Sequence, residues 1–291
     1  DFSTLQLVIN ENLWTQAGLT DADIPTTWDQ LAAVAAKLTN GTTKGLVFGG
    51  EYARLGAFMA QAGGRLVSED GTTAEANSEA NVTALTYVQK HLQDGTFAYA
   101  SDVGAGWGGE AFGKKLGAMT IEGNWITGAL GDYPDVKAKV VELPAGSAGK
   151  GTLQFTNCWG MAADSPNQKA ALDLVEYLTS ADQQLAFSKA FGPMPSVQSA
   201  AETWKSDNPS LVAFLNGADL IKSLAEHAPR VGKNANVEDV EGLASDVARE
   251  LGGLEHCLII VDNATDRQLL AKLKLAKDAN RGPPSATTTS G

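Results

Sequence analysis

The chain has 291 residues, 43% hydrophobic and 19% charged, which is enough apolar material for a sizeable core and too little charge for a disordered polyelectrolyte. Its 34 Asp and Glu against 22 Lys and Arg give a formal net charge of −12, with no cation cluster to meet a phosphate backbone, so nucleic acid is excluded as a partner. No apolar run approaches the ~20 residues of a membrane-spanning helix, and the stretch from Asp1 reads as folded sequence rather than as a signal peptide.

Residues 1–14 read as an extended strand running into a helix start. Thr26-Thr27-Trp28-Asp29 opens a second helix with a Thr cap and an acidic first turn; Leu31, Ala32, Val34, Ala35 and Leu38 follow at helical spacing and Gly41 ends it. A short strand over 44–49 lies between glycines. A helix over 54–63 stops at Gly63-Gly64. The next, over 78–94, carries Val82, Leu85, Val88 and Leu92 on one face. A short helix over 110–115 precedes strands over 116–121 and 137–142. The 146–151 stretch reads as a flexible glycine loop, and 153–162 as a strand. Helices over 168–179 and 181–190 then reach the rigid break Gly192-Pro193-Met194-Pro195. Strands alternating with helices predict an α/β fold with a mainly parallel sheet. Beyond Ile221 the character changes. A helix over 239–250, a strand over 257–261 and a basic helix over 267–279 precede a Pro/Ser/Thr-rich end.

Catalytic signals are weak. Gly104-Ala105-Gly106-Trp107-Gly108-Gly109 has dinucleotide spacing, but the residues before it, Tyr99-Ala100-Ser101-Asp102, are too polar for the required strand; a surface loop is the better reading. His91, His227 and His256 lack ligand spacing, and Cys158 and Cys257 read as plain buried thiols. No nucleophile elbow is present. The sequence thus calls for no catalysis, no cofactor and no metal, although a glycoside-active carboxylate pair could be assembled from distant acids.

Six tryptophans remain. Trp14, Trp28 and Trp204 read as structural. Trp107, Trp125 and Trp159 stand beside loop residues, with Glu122-Gly123-Asn124 before Trp125 and Asn157 before Trp159. A sugar ring offers an apolar C–H face and a polar rim, so its site wants flat aromatics with carboxylates, amides and backbone groups at the edge. Packing in a core is the competing reading for each.

Several stretches resemble, in order, the family 1 extracellular solute-binding proteins, the group that includes maltose-binding proteins. They are Ser3-Thr4-Leu5 through Asn10-Glu11-Asn12-Leu13 and Ala17-Gly18-Leu19; Pro25-Thr26-Thr27-Trp28-Asp29-Gln30-Leu31; Gln61-Ala62-Gly63-Gly64; Phe112-Gly113-Lys114 with Gly117-Ala118-Met119 and Gly123-Asn124-Trp125; Ser165-Pro166-Asn167; and Pro193-Met194-Pro195-Ser196. The resemblance implies a periplasmic-binding-protein-like (type II) fold of two α/β lobes, with a sugar or oligosaccharide in the cleft and an ABC permease as partner. It also implies an extracytoplasmic location and a monomer. By matched position Trp125, beside Gly123, stacks on the ligand. Ser3, Glu51, Tyr52, Asn157 and Trp159 line the cleft; Trp107 joins them on local chemistry alone. A non-sugar solute on the same fold is the alternative.

Set against the family, Asp1 falls well inside it, so the chain reads as a fragment. Residues 1–150 give a C-terminal-type lobe, 151–195 part of the other lobe, 196–222 a helical return and 223–291 an atypical tail. Weak or no sugar binding by this chain alone is the expectation.

Overall fold

Eight of the nine residues of the first strand, Phe2–Asn10 (β1), are buried, the mark of a strand covered on both faces. The computed structural model describes residues 1–68, 72–157, 159–162 and 164–225. After β1 come Glu11–Gln16 (α1), Trp28–Leu38 (α2), Lys44–Phe48 (β2), Tyr52–Gln61 (α3) and Glu79–Gln93 (α4). Phe97–Tyr99 (β3), Gly108–Gly113 (α5), Gly117–Gly123 (β4), Ile126–Ala129 (α6), Ala138–Val141 (β5) and Gln154–Thr156 (β6) follow, then Gln168–Leu178 (α7), Ala181–Phe191 (α8), Gln198–Asp207 (α9) and Val212–Ala225 (α10). The predicted elements at 239–250, 257–261 and 267–279 lie outside the described residues.

The sheet runs β3-β2-β4-β1-β5, with β6 on the start of β1. β2 is parallel to β3 and β4, while β1 is antiparallel to β4, β5 and β6. The fold is therefore α/β with a mixed sheet, its parallel part interrupted by one reversed strand. The period of two along β1 separates two chemistries. Leu5, Leu7 and Ile9 enter the main core, against residues of α2, α3 and α4. Thr4 and Gln6 face the other way, where the Thr4 hydroxyl donates to Phe214 O at 2.5 Å and the Gln6 amide to Ala213 O at 2.6 Å, so α10 satisfies them. Gly217 lets α10 approach that closely, since a Cβ there would lie 2.6 Å from Thr4 Oγ1.

The predicted start of α2 stands: the Thr27 hydroxyl accepts from Gln30 N at 3.3 Å, and the Gln30 side chain accepts from Thr26 N at 2.8 Å. Its Trp28 stacks on Tyr87 at 4.6 Å and donates to Gln61 Oε1 at 2.6 Å. Trp14 and Trp204 are buried as well.

Three local expectations are corrected. The buried face of α4 is Asn81, Ala84, Val88 and His91, leaving Val82 and Leu85 exposed. The Asn81 amide turns this face inward by donating to the carbonyls of Arg65, Glu75 and Ala76. A strand does precede the glycine cluster, because Phe97 and Ala98 are buried and pair with β2; a 3-10 turn, Ala100–Val103, then separates it from Gly104. The 146–151 stretch is tied to Gln61 at its middle and its end: Ala148 N donates to Gln61 O at 2.9 Å, and the Gln61 amide donates to Gly151 O at 2.9 Å.

The chain divides into two units. One comprises Asp1–Asn157 and Tyr177–His227 and holds the whole sheet; the other takes Cys158–Glu176 and Ala228–Gly291, of which most of α7 is described.

Candidate functional site

Parallel strands converge their carboxyl ends at one edge of a sheet, and the loops that leave them there open a crevice. In the first unit β2 ends at Phe48 and passes through Gly49-Gly50 into α3. β3 passes from Tyr99 into the 3-10 turn, and β4 ends at Gly123. These exits enclose a cavity of about 440 Å³ lined by Gly49, Gly50, Glu51, Arg54, Ala100, Ser101, Gly106, Trp107, Gly108 and Glu122. The glycine cluster thus forms a wall of this cavity rather than a bare surface loop. Gly108 is required there: a Cβ on it would lie 2.6 Å from Glu122 Oε1 and 2.7 Å from Thr120 Oγ1.

Charge is organised around Arg54, on the first turn of α3. One terminal nitrogen pairs with Glu51 at 3.0 Å and the other pairs with Glu122. Glu51 is half-exposed, Arg54 is 12% exposed at its side chain and Glu122 is fully buried, so the three run from rim to floor. The same Glu122 oxygen, Oε2, accepts the Trp125 indole N–H at 2.9 Å. The Arg54 guanidinium carbon stands 5.4 Å from the centre of the Trp125 ring, within cation–π range. Phe155 stands nearly perpendicular to that ring, with the centroids 5.4 Å apart.

Burial drives the Glu122 carboxyl above the ordinary carboxylate range; Arg54 and the Trp125 N–H oppose that shift without cancelling it, and Glu51 adds like-charge repulsion. Glu122 Oε1, Thr120 Oγ1 and Arg54 Nε are buried without a hydrogen-bond partner. A buried carboxylate left half-satisfied weakens the fold, which is characteristic of sites kept for function.

Of the residues expected from the sequence, Glu51 and Trp107 line the cavity. Trp125 joins it through Glu122, with its ring laid on Gly123. Ser3 is buried on β1 opposite Phe155, one residue removed from Trp125 through that ring. Tyr52 is exposed, its ring set against Gly56 rather than in the cavity. Asn157 binds Asp1 through its backbone N–H at 3.2 Å. Trp159 is exposed and belongs to the second unit. Arg54 was missed, and Glu122 was noted only as a neighbour of Trp125. Glu122 left a readable signal, as an acid inside the apolar run Gly117–Gly123 whose every residue is buried.

Gly123 permits the Trp125 placement, because a Cβ there would fall 2.6 Å from the ring carbon Cε3 and still nearer to its neighbours. Gly123→Ala is expected to displace the indole while β4 stays paired. The check is a shifted tryptophan emission with far-ultraviolet circular dichroism unchanged; an unchanged emission spectrum refutes the packing described.

Comparison with known proteins gives a consistent picture. The family described as bacterial extracellular solute-binding protein matches residues 2–213. The chain is similar in structure to the GacH receptor of Streptomyces glaucescens, solved unliganded and with acarbose, at TM-score 0.66 and 27% identity, over 75% of this chain and 57% of that one. It is also similar to the ABC substrate-binding protein Lmo0181 of Listeria monocytogenes in complex with cycloalternan, at TM-score 0.68 and 20% identity, over 86% and 70%. UgpB of Mycobacterium tuberculosis, in complex with glycerophosphocholine, matches at TM-score 0.61 and 15% identity, over 86% and 70%. The chain therefore spans little more than half the length of the GacH receptor. No curated protein matches it.

Proposed function

The chain belongs to the bacterial extracellular solute-binding proteins, and we propose that its first unit supplies a wall of a sugar- or oligosaccharide-binding site whose ligand is handed to an ABC permease. The family is an extracytoplasmic, non-catalytic component of transporters. The observation that carries the sugar reading is the Glu51–Arg54–Glu122 array beside two tryptophans, Trp107 on the cavity wall and Trp125 on the same carboxylate. Carboxylates and glycine backbone suit ring hydroxyls; indole faces suit the C–H side of a pyranose.

An anionic solute is disfavoured. Arg54 is the one cation among the cavity's lining residues, and both of its terminal nitrogens are already taken by carboxylates. The expected result is a saturable change in tryptophan fluorescence with neutral sugars at about millimolar Kd for this chain, near 4 kcal/mol of binding free energy. Uronates and sugar phosphates are expected to give none. A response to the anions alone, or hydrolysis of a glycoside, overturns the reading.

A further inference from the structure

We infer that Glu122 is a positioning residue that sets the orientation of the Trp125 indole, an inference that rests on Trp125 standing at the solute site. The ring of Trp125 has non-directional neighbours, among them the Gly123 backbone, the Phe155 ring and the Arg54 guanidinium. The torsion that turns an indole about its stem is broad and roughly two-fold, and a ring flipped about it can still satisfy contacts of that kind. The N–H to Glu122 Oε2 bond cannot survive the flip, because it carries the nitrogen to the other side. A charge-assisted bond at 2.9 Å is about twice as strong as a neutral one, so it decides between the two orientations.

Glu122 is in turn held by Arg54, and Arg54 by Glu51 at the rim, so the orientation of the indole is fixed from the cavity side. The carboxylate is fully buried with Oε1 unpartnered, so Oε2 alone carries its bonds, to Arg54 and to the Trp125 indole N–H. The titratable groups facing it are Arg54 and Glu51, both on the chain entering α3.

The test uses the whole chain and two readouts. The first is hydrogen exchange at the Trp125 indole N–H, whose resonance is identified by its loss in Trp125→Phe. Exchange is expected to accelerate tenfold or more in Glu122→Ala and to stay within a few-fold of wild type in Glu122→Gln, which keeps an acceptor. Unaltered exchange in Glu122→Ala overturns the inference. The second is affinity for a responding neutral sugar, expected to fall about tenfold in Glu122→Ala, the worth of one charged hydrogen bond. In the Trp125→Phe background the same substitution is expected to do nothing further; additive losses would show that Glu122 acts directly on ligand or fold and overturn the inference. If Glu122→Ala fails to fold, the pair Arg54→Met with Glu122→Leu removes both charges together and is read by the same exchange criterion. If no sugar binds the wild-type chain, the sugar reading fails, and the exchange measurement still decides the role of Glu122.

Discussion

Trp125→Ala is expected to abolish the fluorescence response to sugar and to lower affinity by about ten- to a hundredfold, the combined worth of ring stacking and lost apolar contact. The structure sets the size of this effect. The indole is only partly buried and packs at the margin of the main core, so its removal opens a gap at that margin rather than a cavity at the centre of the core. Loss of affinity is therefore expected without a matching loss of thermal stability. Trp28→Ala is the control, because that ring stacks on Tyr87 and is bonded to Gln61 within the core; there stability falls by about 3–5 kcal/mol. Isothermal titration beside thermal melting separates the two behaviours. Equal affinity for Trp125→Ala and wild type would remove Trp125 from the site.

The two tryptophans show why the sequence was legible in some places and opaque in others. Trp28 sits behind a Thr cap, in register with Leu31, Ala35 and Leu38, and that local pattern alone places it in the core. Local signals also place α2, α4 and the paired strands, since caps and periodicity act over a few residues. The facing of α4 escaped because it is set by loop carbonyls that Asn81 gathers from Arg65 to Ala76, which no helical wheel contains. Arg54 and Glu122 escaped for the same reason at longer range. They are 68 residues apart, and although Glu122 stands out as an acid in an apolar run, nothing local pairs it with Arg54. Only the parallel crossing from β2 to β4 brings their ends together. Trp125 was legible from its own neighbours, Glu122-Gly123-Asn124, whereas Glu51 could be named only through the family resemblance; the geometry then shows what joins them.

That dependence on a non-local pair makes Arg54→Ala the most damaging single change expected near the site. It leaves the Glu122 carboxylate buried with no cation, and breaking a buried pair in this way costs about 3–5 kcal/mol. The pH dependence has a definite sign. Glu122 already has its folded pKa raised above its unfolded value by burial, and removing Arg54 takes away the main influence holding it down. The folded state then binds the proton more readily than the unfolded chain, so stability is fully present below the ordinary carboxylate pKa and is lost as pH rises through the raised one. Arg54→Ala is therefore expected to be most destabilised at neutral and alkaline pH and to recover on mild acidification. Glu142 and Asp94, whose carboxyls are held below the ordinary range, by Lys150 and by Thr96 against the pull of burial, impose the opposite trend once pH falls past that range. Adding Glu122→Gln to Arg54→Ala is expected to flatten the dependence between these limits and restore much of the stability, since an amide needs no counterion. Urea melts at a series of pH values check this, and a variant whose loss is the same at every pH, or that Glu122→Gln does not relieve, would show that Arg54 holds the fold by packing instead of by charge.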